Sequence, residues 1–104
     1  MSRLRGISEA GPGWRFRAHP DVVAESAEEE LLIVQLVRGT TFRLNGSGRA
    51  MWSLLATGLR PAEVAERLHC ELGVSTERLK SDVDALVSDL LENTLLDPLP
   101  GELR

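Results

Sequence analysis

The stretch Leu31-Leu32-Ile33-Val34-Gln35-Leu36-Val37, followed by Arg38-Gly39 and then Thr40-Thr41-Phe42-Arg43-Leu44-Asn45, reads as a β-hairpin. The first segment is an almost continuous apolar run with Gln35 as its one polar residue. The second alternates and is rich in β-formers. Arg38-Gly39 offers a two-residue turn in which glycine supplies a positive φ at little steric cost. This turn sets Val37 opposite Thr40, Gln35 opposite Phe42 and Ile33 opposite Leu44. One sheet face then carries Leu31, Ile33, Phe42 and Leu44. The other carries Leu32, Val34 and Leu36 with Thr41 and Arg43.

Upstream, Val22-Val23-Ala24-Glu25-Ser26 is short and partly β-branched, which suits an edge strand joined to the hairpin through the polar Ala27 to Glu30. Downstream, Ser47 is placed to cap a helix from about Gly48 to Ala56. Pro61 suits the first turn of a second helix reaching Glu71. Ser75 or Thr76 starts a third, in which Leu79, Val83, Leu86 and Leu90 recur at helical spacing as far as Asn93. Three strands grouped before three helices predict an α+β fold, a three-stranded antiparallel sheet with helices on one face, like a winged helix-turn-helix. Residues 21–97 form this domain. Residues 1–20, broken by Gly11-Pro12-Gly13, are expected as a mostly extended arm with Trp14 and Phe16 as its anchors on the body, and 98–104 as a tail. The middle strand is apolar on both faces, whereas an antiparallel sheet open to water on one side usually alternates. The second face is therefore either covered by the arm or kept for a partner.

Composition narrows the function. At 104 residues, with 42% hydrophobic and 27% charged residues, the chain suits one soluble domain. No apolar run approaches the length of a membrane span, and the basic start lacks the apolar stretch of a secretory signal. A single cysteine excludes an internal disulfide and fits the cytoplasm. His69 and Cys70 are helix neighbours pointing about 100° apart, so they cannot form a thiolate–imidazole pair. Cys70 is expected as a small, partly buried residue. There is no CxxC or HxxxH spacing and no paired acid and base, so neither a metal site, a cofactor nor an enzyme is expected.

Charge bears on partners. Residues 1–60 carry eight Arg and six acidic residues, while residues 61–104 carry four basic and ten acidic ones. From Thr76 to Asn93 there are two basic and five acidic residues. A helix entering the major groove must approach phosphates, so DNA binding by a winged helix is disfavoured. On the wheel of this helix, Val87 and Leu91 widen the apolar stripe on one flank only, and Lys80 and Asp84 continue it. A one-sided extension of mixed charge suits a groove wall. The strand Thr40–Asn45 would lie at the edge of the sheet, yet contains no Pro or Lys to guard it. An unguarded edge beside an apolar helix flank is suited to β-strand addition by an extended peptide. A module that pairs two such edges between copies would also fit.

These residues resemble the PqqD-like domain, the recognition element for ribosomally made precursor peptides. The resemblance rests on Leu31-Leu32-Ile33, Gly39, Phe42-x-Leu44-Asn45, Gly48-x-x-Met51-Trp52-x-Leu54-Leu55 and Pro61-x-Glu63-Val64-Ala65-x-x-Leu68. It continues through Asp82-Val83-x-x-Leu86-Val87-x-x-Leu90 and closes at Leu95-Leu96. Ala56-Thr57-Gly58 stands where the family commonly has an aromatic-rich Asp-Gly segment. The resemblance implies a non-catalytic domain that binds the leader of a precursor peptide as an added strand. By position it implies contacts from Thr40, Thr41, Phe42, Arg43 and Leu44 on the edge, and from Lys80, Val83, Asp84, Val87 and Leu91 on the helix. Free-standing members include the pyrroloquinoline quinone peptide chaperone and the leader-binding proteins of lasso peptide biosynthesis, of which the second is the nearer. That type implies a leader peptidase and an ATP-dependent cyclase as partners, with Leu32, Val34 and Leu36 as the candidate docking face.

Overall fold

The computed structural model describes residues 14–99. The element order is β1 (Arg15–Ala18), β2 (Val22–Ala27), β3 (Glu30–Gln35), β4 (Thr40–Asn45), α1 (Gly46–Ala56), α2 (Pro61–Leu72), α3 (Thr76–Glu92) and β5 (Leu96–Leu99). Strands β2, β3 and β4 form an antiparallel sheet in that spatial order. The three helices follow it, as the α+β reading expects.

The hairpin has a different turn from the expected one. Gln35 pairs with Thr40, Ile33 with Phe42 and Leu31 with Leu44. The turn therefore has four residues, Leu36–Gly39, and the register is displaced by two. The cause is Gln35, which is 1% exposed. Its Oε1 accepts from the backbone N–H of Val37 (2.9 Å) and Arg38 (3.2 Å), while its Nε2 donates to the Thr94 carbonyl at 3.0 Å. The Gly39 N–H closes the turn on the Gln35 carbonyl at 2.8 Å, and Gly39 itself takes φ of 73°. Side chains alternate with period two, so an even displacement leaves each residue on its expected face. Leu36 is the exception. It stands in the turn, 61% exposed, and does not extend the second sheet face.

The helices also begin and pack slightly differently. Strand β4 runs straight into α1 through Gly46 at φ 53°, so Asn45 is the N-cap and Ser47 lies inside the helix. Helix α2 starts at Pro61 and stops at Gly73, whose φ of 74° suits the left-handed position after a helix. The Ser75 hydroxyl caps α3 by accepting from the Arg78 N–H. The buried stripe of α3 is Leu79, Val83, Val87 and Leu90. Val87 replaces Leu86 in the expected stripe, and Leu86 is half-buried.

One sheet was not expected. Within the stretch read as an arm, Arg15–Ala18 pairs antiparallel with Leu96–Leu99, joining the two ends of the described chain. Phe16 is fully buried there. It belongs to the buried core cluster that also holds Leu31, Ile33 and Leu44 of the sheet, Trp52 and Leu55 of α1, and Val64 and Leu68 of α2. The described part of the arm thus pairs with β5 and not with the meander. Residues 1–13 and 100–104 lie outside the described residues, as does any covering of the second sheet face by residues 1–13.

Candidate peptide-binding site

Strand β4 is the last strand of its sheet. The direction of its backbone groups follows from the ladder. The Leu36 N–H donates to the Asp21 carbonyl at 2.8 Å, so the even-numbered residues of β3 turn their backbone groups towards β2. Leu31, Ile33 and Gln35 then turn theirs towards β4, where Leu44, Phe42 and Thr40 face them. Thr41 and Arg43 are left with N–H and C=O groups directed away from the sheet. Their side chains lie on the solvent face in register with Val34 and Leu32. Thr40, Thr41 and Arg43 are exposed, Phe42 is half-buried on the core face, and Leu44 is buried. Arg43 reaches Glu30 at 3.5 Å, and this exposed pair contributes little to stability.

The sequence reading sets a flank of α3 as the second wall. A cleft of about 390 Å³ lies between the end of α3, the β3–β4 turn and β5, lined by Leu91, Arg38, Thr94, Leu96 and Pro98 among others. Arg38 spans it by donating to the Thr94 hydroxyl at 2.6 Å. Leu91 therefore marks the side of α3 that faces the hairpin. Asp84 precedes Leu91 by seven residues and Lys80 precedes Asp84 by four, so all three share that flank. Lys80 is exposed, while Asp84 and Leu91 are half-buried. Val83 and Val87 have no exposure and form the packed interior behind the flank. They differ in this from the groove-wall position expected of them; α3 is rotated so that Val87, not Leu86, completes its core stripe.

Asp84 has no hydrogen bond or ion pair among the described residues. Desolvation by its surroundings raises its pKa above the usual aspartate value of 3.8, and the nearby Lys80 charge offsets this in part. Cys70 is exposed, not partly buried. The His69 Nδ1 lies 2.7 Å from the Val74 carbonyl, a contact that ties down the end of α2.

Arg38, Thr94 and Gln35 were not among the sequence candidates. Gln35 carried a signal, a lone polar residue in an apolar run. Thr94 carried none, because its positive φ of 59° is unusual for a β-branched residue and emerges only from the packed turn after α3.

The family model described as coenzyme PQQ synthesis protein D (PqqD) matches residues 30–96. The chain belongs to the PqqD family. The PqqD match spans β3 to the first residue of β5, and so contains both the outer strand β4 and the α3 flank. Among solved structures the chain is similar to lasso peptide synthetase B1 complexed with the leader peptide, at 27% identity and a TM-score of 0.74. That likeness covers 81% of this chain and 99% of the other. It is also similar to TbiB1 in complex with the TbiA(beta) leader peptide, at 28% identity and a TM-score of 0.73, over 78% of this chain and 94% of that one. No curated protein matches the chain. Among the described residues, no helix is long and apolar enough to cross a membrane.

Proposed function

We propose that this PqqD-family chain is a non-catalytic receptor for the leader segment of a ribosomally made precursor peptide. The leader adds to β4 as a further antiparallel or parallel strand, hydrogen-bonded to the outward N–H and C=O groups of Thr41 and Arg43. Its core-facing side chains meet Phe42 and the Lys80, Asp84 and Leu91 flank of α3. The observation that carries this reading is the open margin of β4, unpaired among the described residues, in a chain whose structural relatives are complexes with leader peptides. Backbone bonds supply affinity and side-chain pockets supply choice.

Lasso peptide biosynthesis is the favoured setting, because both structural relatives bear leader peptides and the first is a lasso peptide synthetase component. In that setting the receptor works in the cytoplasm beside a leader peptidase and an ATP-dependent cyclase. Holding the leader raises the effective concentration of precursor at these enzymes and makes the next encounter intramolecular. Leu32 and Val34, half-buried on the solvent face of the sheet, are the docking candidates for the peptidase.

Fluorescence polarisation tests the reading with a labelled leader peptide of a ribosomally made precursor. Saturable binding that unlabelled leader competes away is expected. A flat titration by folded protein, or a gel shift with DNA at low salt in its place, overturns it.

A further inference from the structure

We infer that Asp84 selects leaders that carry a lysine or arginine side chain where the added strand passes the middle of α3. This rests on the leader-binding reading above and specifies the ligand of that site.

Asp84 shares its flank of α3 with Leu91, and Leu91 lines the cleft that Arg38 of the β3–β4 turn closes from the other side. The carboxylate is half-buried without a hydrogen bond or ion pair among the described residues. Lys80, one turn away, does not come within ion-pair distance and is itself exposed. Asp84 thus loses solvation in the fold and gains no direct partner. Its raised proton affinity agrees with that imbalance. A cation brought by a ligand supplies the missing partner and leaves the leader's other positions unconstrained. The surroundings favour the same sign, since α3 holds five acidic residues and two basic ones between Thr76 and Asn93. Opposite charge at this point acts mainly as a filter, because an acidic leader residue would meet an unpaired carboxylate.

The test uses a phage-displayed library of random peptides, long enough to span β4, panned on the full chain. Wild-type protein is expected to enrich Lys or Arg at one position. Asp84→Asn should lose that enrichment, and Asp84→Lys should shift it to Asp or Glu. Replacing the enriched cation by Ala should weaken a selected peptide by about fivefold on wild type, as for a partly exposed ion pair, and leave its affinity for Asp84→Asn unchanged. Cationic enrichment that survives in Asp84→Asn overturns the inference. The Thr41→Pro variant separates the two levels. Peptides lost with Thr41→Pro that show no cationic position sink the role of Asp84 alone. Peptides that bind Thr41→Pro as well as wild type, or a library without binders, sink the receptor reading itself.

Discussion

Gln35 is the one fully buried polar residue among those described, and it holds the hairpin turn by three hydrogen bonds. Replacing it by Leu would keep the volume but strand the N–H groups of Val37 and Arg38 and the carbonyl of Thr94. Unsatisfied groups of this kind cost about 1–3 kcal/mol. Gln35→Leu is therefore expected to lower stability by that amount in urea denaturation, and an unchanged midpoint would show that water replaces the amide. Asp84 has the opposite balance. Its folded pKa lies above its unfolded value because desolvation outweighs Lys80. A raised carboxylate binds its proton more tightly when folded, so the ionised group opposes folding above the folded pKa. That opposition fades as the pH falls through the folded pKa and vanishes below the unfolded value. Asp84→Asn should thus be slightly more stable than wild type at pH 7, within about 0.5 kcal/mol because solvent screens a half-exposed group. Thermal melts of both proteins across the acid range would detect the convergence; a variant less stable than wild type at pH 7 would contradict it.

At the scale of the element, the two halves of β4 make opposite predictions for proline. The N–H of Thr41 points away from β3, so Thr41→Pro removes an outward donor and leaves the ladder to β3 whole. Edge strands tolerate proline at such positions. The expected result is a folded protein, by circular dichroism, that no longer binds leader in a polarisation titration. The N–H of Phe42 points at Ile33, so Phe42→Pro breaks the ladder itself and should unfold the hairpin. Equal leader affinity in a folded Thr41→Pro protein would refute strand addition. The edge could be read from the residues because an apolar run, a glycine turn and an alternating run specify a hairpin whatever its exact register. The register itself could not, since Gln35 takes its partners from the turn and from Thr94, some sixty positions away. The flank of α3 was half readable. Lys80, Asp84 and Leu91 follow from helical spacing, but whether Leu86 or Val87 enters the core depends on a few tens of degrees of rotation that only packing against the sheet and α2 decides. β1 was unreadable for a related reason: its four residues pair with the far end of the chain, and no local pattern announces a partner so distant.

At the scale of the whole molecule, that distant pairing turns a meander with three helices into a closed unit. Phe16, with no exposure, joins the core cluster shared by the sheet and the helices, while Leu96 on the partner strand is almost as buried. A fully buried phenylalanine replaced by alanine costs about 3–5 kcal/mol. The total stability of a small domain is about 5–15 kcal/mol, so this is a large share of what keeps the fold together. Phe16→Ala should therefore show a markedly lower midpoint in guanidinium chloride. Its effect on the proposed function should be indirect. β1 pairs with β5 and leaves the margin of β4 untouched, so each folded molecule should still take the leader. The apparent affinity should fall only in proportion to the folded fraction, and saturating leader should raise the midpoint again, because a ligand that binds only the native state stabilises it by mass action. A Phe16→Ala protein that stays folded yet loses leader binding would place the N-terminal strand in the binding site; one as stable as wild type would show that β1 is an ornament on a core complete without it.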